Sequence, residues 1–205
     1  AGIAGTRLGD DERALFEAFP PAGFILFARN CDSPDQVADL VAELKALFPS
    51  RWVPVLIDQE GGRVQRLRPP HWAQLPAPGA VAALPLQLAE TAMRLHAGLL
   101  ARQLRPLGID VDCAPVLDVA RDDTTRAIGD RSLGRDPERV AALGRVVIDT
   151  LSAAGIVPVI KHLPGHGLAR VDSHHHLPVI DAPLEELERV DFAPFRACRD
   201  VPMAM

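Results

Sequence analysis

Short apolar runs alternate with amphipathic stretches along this chain, and the runs stop at polar residues. GFILFAR (23–29) leads into Asn30, WVPVLI (52–57) stops at Asp58, IDVDCAPVLDV (109–119) carries Asp118, and IVPVIKH (156–162) ends in Lys161 and His162. The intervening stretches carry helix signals. SPDQVADLVAELKALF (33–48) offers Ser33 as N-cap and Pro34 at the first helical position, with apolar residues at helical spacing. Residues 85–105 read as a second helix. DPERVAALGRVVIDTLSAAG (136–155) reads as a third, capped by Asp136, opened by Pro137 and closed by Gly155. PLEELERVDFAPFRAC (183–198) follows as a fourth, before VPMAM (201–205). Unbroken apolar runs mark parallel strands covered by helices on both faces. The alternation therefore predicts an α/β fold with a parallel sheet.

Two features favour a barrel over an open, doubly wound sheet. No GxGxxG follows a strand, and the polar clusters sit just past strand ends, where a TIM (β/α)8 barrel gathers its chemistry. The count reaches about five strands, including a short one near Gly2–Gly5, plus the start of a sixth at Val201. A closed barrel has eight strands in about 250 residues. The expectation is an incomplete barrel: residues 1–205 form the N-terminal part of one domain whose C-terminal strands are absent.

The 205 residues, 48% of them hydrophobic, suffice for one buried core. A net charge of −5 with scattered Lys and Arg argues against a nucleic-acid partner. No apolar stretch is long enough to span a membrane. Cys31, Cys113 and Cys198 lie far apart and form no CxxC pair, so a reducing, cytoplasmic setting is expected and a thiolate metal site is not. The opening AGIAGTRLGDDERALF has neither an initiating Met nor a signal-peptide pattern, which suggests a trimmed N-terminus.

Three motifs carry chemistry. In IDQEGGRVQRL (57–67), Asp58 ends a strand, Gly61–Gly62 permit a tight turn, and Arg63 and Arg66 follow within reach. A carboxylate there can accept sugar hydroxyls and an arginine can donate a planar fork, although an Asp–Arg pair can equally well just fix a loop. In GDRSLGRDPERV (129–140), Asp136 is a helix cap, while Arg131 has no such local role. KHLPGHGLARVDSHHHLP (161–178) holds five of the seven histidines. His162 and His166 have the spacing of a helical metal pair, but the Pro-Gly between them forbids that helix. In an extended segment Asp172 lies beside His174, and His174 beside His176. A metal site through His174 and His176, a proton-transfer pair of Asp172 and His174, and a solvated loop all remain open on these residues alone.

FILFARN, IDQEGGRVQRL, APVLDV, GDRSLG, KHLPGHG and DSHHHLP together resemble family 3 glycoside hydrolases. The nearest branch is the single-domain bacterial β-N-acetylglucosaminidases (β-hexosaminidases) of peptidoglycan recycling. The resemblance covers essentially the whole chain, with Leu163 where the family usually has Phe. It implies a retaining hydrolase that needs no cofactor and no metal and removes terminal β-linked N-acetylglucosamine from muropeptides or related glycosides. It further implies substrate binding by Asp58, Arg66, Arg131, Lys161 and His162, and acid/base catalysis by His174 paired with Asp172. The family's nucleophile is an Asp in an SDDL-like motif after strand seven. No such motif occurs in these 205 residues, so the chain alone is expected to be inactive. The alternatives are a metal-dependent amidohydrolase-type barrel and a non-catalytic sugar-binding relative.

Overall fold

The computed structural model describes residues 1–171 and 177–205. Its helices and strands run in the order α1 (Asp10–Ala18), β1 (Phe24–Leu26), α2 (Pro34–Ala46), β2 (Val55–Ile57), β3 (Gln59–Gly61), β4 (Val64–Gln65), α3 (Pro78–Ala82), α4 (Leu86–Leu104), β5 (Val111–Asp112), α5 (Pro137–Ala153), β6 (Val157–Ile160), α6 (Leu184–Arg189), α7 (Ala193–Ala197) and β7 (Met203–Ala204).

Five strands form one parallel sheet in the order β1-β2-β5-β6-β7, and β3 and β4 pair as a small antiparallel hairpin. The spatial order repeats the chain order without a reversal. A doubly wound sheet reverses at a switch point, whereas a barrel does not. The architecture is thus an α/β, incomplete (β/α)8 barrel. The strand count needs correction at both ends. Residues 2–5 form no strand, although Ala1 exchanges backbone bonds with the edge of β1, donating to Gly23 at 2.7 Å and accepting from Ile25 at 2.8 Å. Met203–Ala204 is the fifth strand of the sheet rather than the start of a sixth.

Register fixes which side chains share a face. Ile25, Leu56, Val111 and Val157 form one row across β1, β2, β5 and β6, and Leu26, Ile57, Asp112 and Pro158 form the next. Leu26 and Ile57 join the main core with Val37, Leu40 and Leu44 of α2, Leu100 and Leu104 of α4, and Leu143 and Leu151 of α5. Val111, Cys113 and Val159 form a separate small cluster with Ile25, Leu56, Val157 and Met203. The first row therefore faces the barrel axis and the second faces the helices.

Two expected helix starts are seen in detail. Ser33 Oγ accepts the Gln36 N–H at 3.4 Å, and the Asp136 carboxylate accepts from Glu138 and Arg139, with Pro34 and Pro137 next in line. The run at 109–119 pairs as a regular strand only over Val111–Asp112. Past the Ala114–Pro115 step, Val116 makes a lone parallel bridge with Lys161. Proline has no N–H to give a ladder, which accounts for the break. The helix expected over 183–198 is two short helices, because the chain bends at Asp191. That buried side chain takes the Arg121 guanidinium at 2.8 Å.

Candidate active site

Residues two apart on a strand point the same way. Leu56 faces the barrel axis, so Asp58 does too; Val159 does, so Lys161 follows. Both side chains emerge at the C-terminal ends of their strands, where the sheet gives way to loops. Lys161 is 1% exposed at its side chain, and its Nζ donates to Asp58 Oδ1 at 2.9 Å and to Glu60 Oε1 at 2.6 Å. Arg66 donates to the other oxygen of Asp58 at 3.0 Å. Arg131 grips Glu60 with two parallel bonds of 2.8 Å each, from Nε to Oε2 and from Nη2 to Oε1. Such a fork is both strong and directional.

The hairpin makes this possible. Gly61 and Gly62 have φ of +94° and +58°, which only glycine adopts freely. A Cβ on Gly61 would also lie 2.5 Å from the Pro76 carbonyl oxygen and 2.8 Å from His96 Cε1. Gln59, wholly buried, ties the hairpin from inside, its Oε1 accepting the N–H groups of Arg66 and Leu67 at 2.8 and 3.0 Å.

Three cations and two carboxylates are thus interlocked. Burial alone would raise the carboxyls of Asp58 and Glu60. The Lys161 ammonium and the Arg66 guanidinium hold Asp58 below the ordinary carboxylate range, and Arg131 with Lys161 does the same for Glu60. Burial alone would lower the Lys161 ammonium, and its two carboxylate partners raise it instead. Both acids stay ionised and Lys161 stays charged at neutral pH. The cluster can accept hydrogen bonds from hydroxyls through carboxylate oxygens and donate them through arginine and lysine.

His162 follows directly. Its Nδ1 lies 2.6 Å from Asp118 Oδ2, and the other Asp118 oxygen accepts the His166 N–H at 2.7 Å. The bond between Nδ1 and Asp118 fixes how the imidazole ring is turned and leaves Nε2 as the ring nitrogen without a part in it. Asp58, Arg66, Arg131, Lys161 and His162 all line one cavity of about 630 Å³, which Ile25, Phe27 and Met205 bound with apolar surface. Polar groups converging beside apolar walls are the make-up of a small-molecule site. All five residues predicted to bind substrate are brought together there. Asp172 and His174, the predicted acid/base pair, lie outside the described residues.

Two residues of this cluster, Glu60 and Asp118, are given no role in the site by the sequence reading, although Asp118 is marked there as a polar residue in an apolar run. Glu60 stands two positions after Asp58, on the same side of an extended segment, and that alternation was the available signal. Asp118 closes the run APVLDV at the same end of the sheet as Asp58 and Lys161.

Residues 5–205 match the Glycosyl hydrolase family 3 N terminal domain. The chain belongs to glycoside hydrolase family 3. A beta-hexosaminidase from Xanthomonas oryzae pv. oryzae (strain KACC10331 / KXO85) is 42% identical to this family 3 chain over 198 residues, covering 96% of the chain and 58% of that relative. The structure of NagZ from Neisseria gonorrhoeae in complex with N-trifluoroacetyl-D-glucosamine superposes with a TM-score of 0.91 at 37% identity, covering 100% of this chain and 61% of that one. A family 3 beta-N-acetylglucosaminidase from Paenibacillus sp. str. FPU-7 gives a TM-score of 0.90 at 36% identity, over 100% and 39% of the two chains. The chain thus spans 58% of the length of the Xanthomonas relative.

Proposed function

We propose that the protein carrying this chain is a retaining β-N-acetylhexosaminidase, which removes terminal β-linked N-acetylglucosamine from peptidoglycan-derived muropeptides or related glycosides. The observation that carries this reading is the interlocked set of Asp58, Glu60, Lys161, Arg66 and Arg131, four of which, all but the buried Glu60, line a cavity of about 630 Å³. The N. gonorrhoeae relative, solved with N-trifluoroacetyl-D-glucosamine, supports it.

In this reading Asp58 accepts hydrogen bonds from sugar hydroxyls, and Arg66, Arg131, Lys161 and His162 donate to or orient the ring. His174, assisted by Asp172, protonates the glycosidic oxygen as the bond to the leaving group breaks. It then takes a proton from the water that releases the sugar. A carboxylate neighbour favours the charged imidazole for the first step, and an imidazole's ordinary pKa near neutrality suits it to the second. The nucleophile on the opposite face has no sequence match in residues 1–205, so the reaction is assigned to the whole protein, with these residues as the N-terminal part of one barrel. A cytoplasmic location is part of the same proposal, supported by three cysteines that form no disulfide. No described helix is long and apolar enough to cross a membrane.

The test uses the full-length protein with para-nitrophenyl N-acetyl-β-D-glucosaminide and the matching glucoside. Turnover of the first only, with the β-anomer as first product by proton NMR, is the expected result. His174→Ala should abolish turnover and a chelator should leave it intact. Loss of activity with chelator and its return with zinc would replace this reading with a metal-dependent hydrolase. Sugar binding without turnover would replace it with a non-catalytic binding protein.

A further inference from the structure

The helix-facing row Leu26, Ile57, Asp112, Pro158 holds one residue that the pattern does not ask for. Asp112 has no exposed surface, in a position whose neighbours along the row are apolar. Its Oδ1 accepts the Gln59 N–H at 3.0 Å, and its Oδ2 has no hydrogen-bond partner among the described residues. Gln59 N–H is a donor just past the end of β2, where the backbone leaves the sheet for the hairpin, midway between Asp58 and Glu60. The Lys161 ammonium bonds to those two carboxylates, both ionised. A third, bare carboxylate beside them would be buried with one oxygen unpaired and no cation of its own, an arrangement that costs far more than a neutral acid.

We infer that Asp112 is a positioning residue, a neutral carboxylic acid that pins the Gln59 amide and so sets the distance at which Asp58 and Glu60 flank Lys161. The charged surroundings agree. Burial pushes the Asp112 carboxyl well above the ordinary range, helped by Glu60 and Asp58 and opposed by the Gln59 N–H and Lys161. The next residue, Cys113, has its thiol pushed up to about 12 by burial and by the same carboxylates. The same segment is also held by His96, whose Nε2 meets the Glu60 carbonyl at 2.8 Å and whose buried Nδ1 has no partner among the described residues. Burial lowers that imidazole, so it too is neutral.

The kinetic arm of the test rests on the sugar-hydrolysing reading; the spectroscopic arm does not. Full-length wild type, Asp112→Asn and Asp112→Ala are compared on para-nitrophenyl N-acetyl-β-D-glucosaminide across the acid-to-alkaline range. The amide of Asn can still accept from Gln59, so its KM and pH profile should stay within about twofold of wild type. The alanine variant leaves that buried N–H without a partner, and its KM should rise about tenfold with a smaller change in kcat. The infrared carbonyl band of a protonated carboxyl should be present in the wild type at neutral pH and reduced in both variants. An Asn variant as impaired as the alanine one, or no such band lost, would overturn the inference. The Asn variant and the band decide the matter even where the alanine variant does not fold. Failure of the wild type to hydrolyse the glycoside would sink the functional reading and leave the infrared comparison to decide on Asp112.

Discussion

Replacing Lys161 with methionine removes the group that bonds both Asp58 and Glu60 while keeping much of the side-chain volume, so packing is little disturbed. Two buried charge-assisted bonds disappear, at 2.9 and 2.6 Å, and two carboxylates keep only Arg66 and Arg131. Removing one partner from a buried ion pair costs about 3–5 kcal/mol. The retained arginines put the expected loss at the low end, about 3 kcal/mol. The sign of the pH effect follows from the shifts. Asp58 and Glu60 are held low in the folded protein. Their contribution is present above the unfolded carboxylate values and is lost as pH falls through the folded ones. Lys161 is raised above its ordinary 10.5, so its contribution is present below that value and is lost as pH rises through the folded one. In the methionine variant both carboxyls titrate at higher pH. Its acid limb should be shallower and end at a higher pH, and the alkaline limb due to Lys161 should vanish. Urea midpoints of the full-length protein, measured against pH for both forms, read this directly. Equal midpoints and an unmoved acid limb would refute the reasoning.

Other perturbations separate the parts of the site. Asp118→Asn deprives His162 of a charged acceptor at Nδ1, and kcat/KM on the chromogenic glycoside should fall about ten- to a hundredfold with the fold intact by circular dichroism. Gly61→Ala forces a Cβ onto the Pro76 carbonyl at a positive φ, and thermal denaturation should show a loss of at least about 2 kcal/mol. Leu104→Ala, at a wholly buried position on α4 far along the chain from the charged cluster, should cost about 2–5 kcal/mol while leaving KM unchanged.

The elements that could be read from sequence were those whose signal is local. Ser33-Pro34 and Asp136-Pro137 announce helix starts by their own chemistry, and both appear as expected. Helix α1 was missed because its buried apolar residue is Phe16 alone, so no stripe repeats. Its start is fixed instead by Glu12, which accepts the N–H groups of Ala4 and Gly9 at 2.8 and 3.1 Å. The break at Asp191 was equally hidden, since the Arg121 that holds that carboxylate is 70 residues away. The site divides the same way. Asp58 and Lys161 show themselves as polar residues ending apolar runs. Asp112 does not, because its role depends on register: one position either way would turn it toward the barrel axis.

The cluster's bonds also join distant parts of the polypeptide. Asp58 and Lys161 are 103 positions apart, and Glu60 and Arg131 are 71 apart. Contacts of such long range close late, after helices and neighbouring turns have formed. During refolding, the sugar affinity of the proposed function should therefore return after the helical signal does. Ligand capture then becomes a timer for the last stage of assembly.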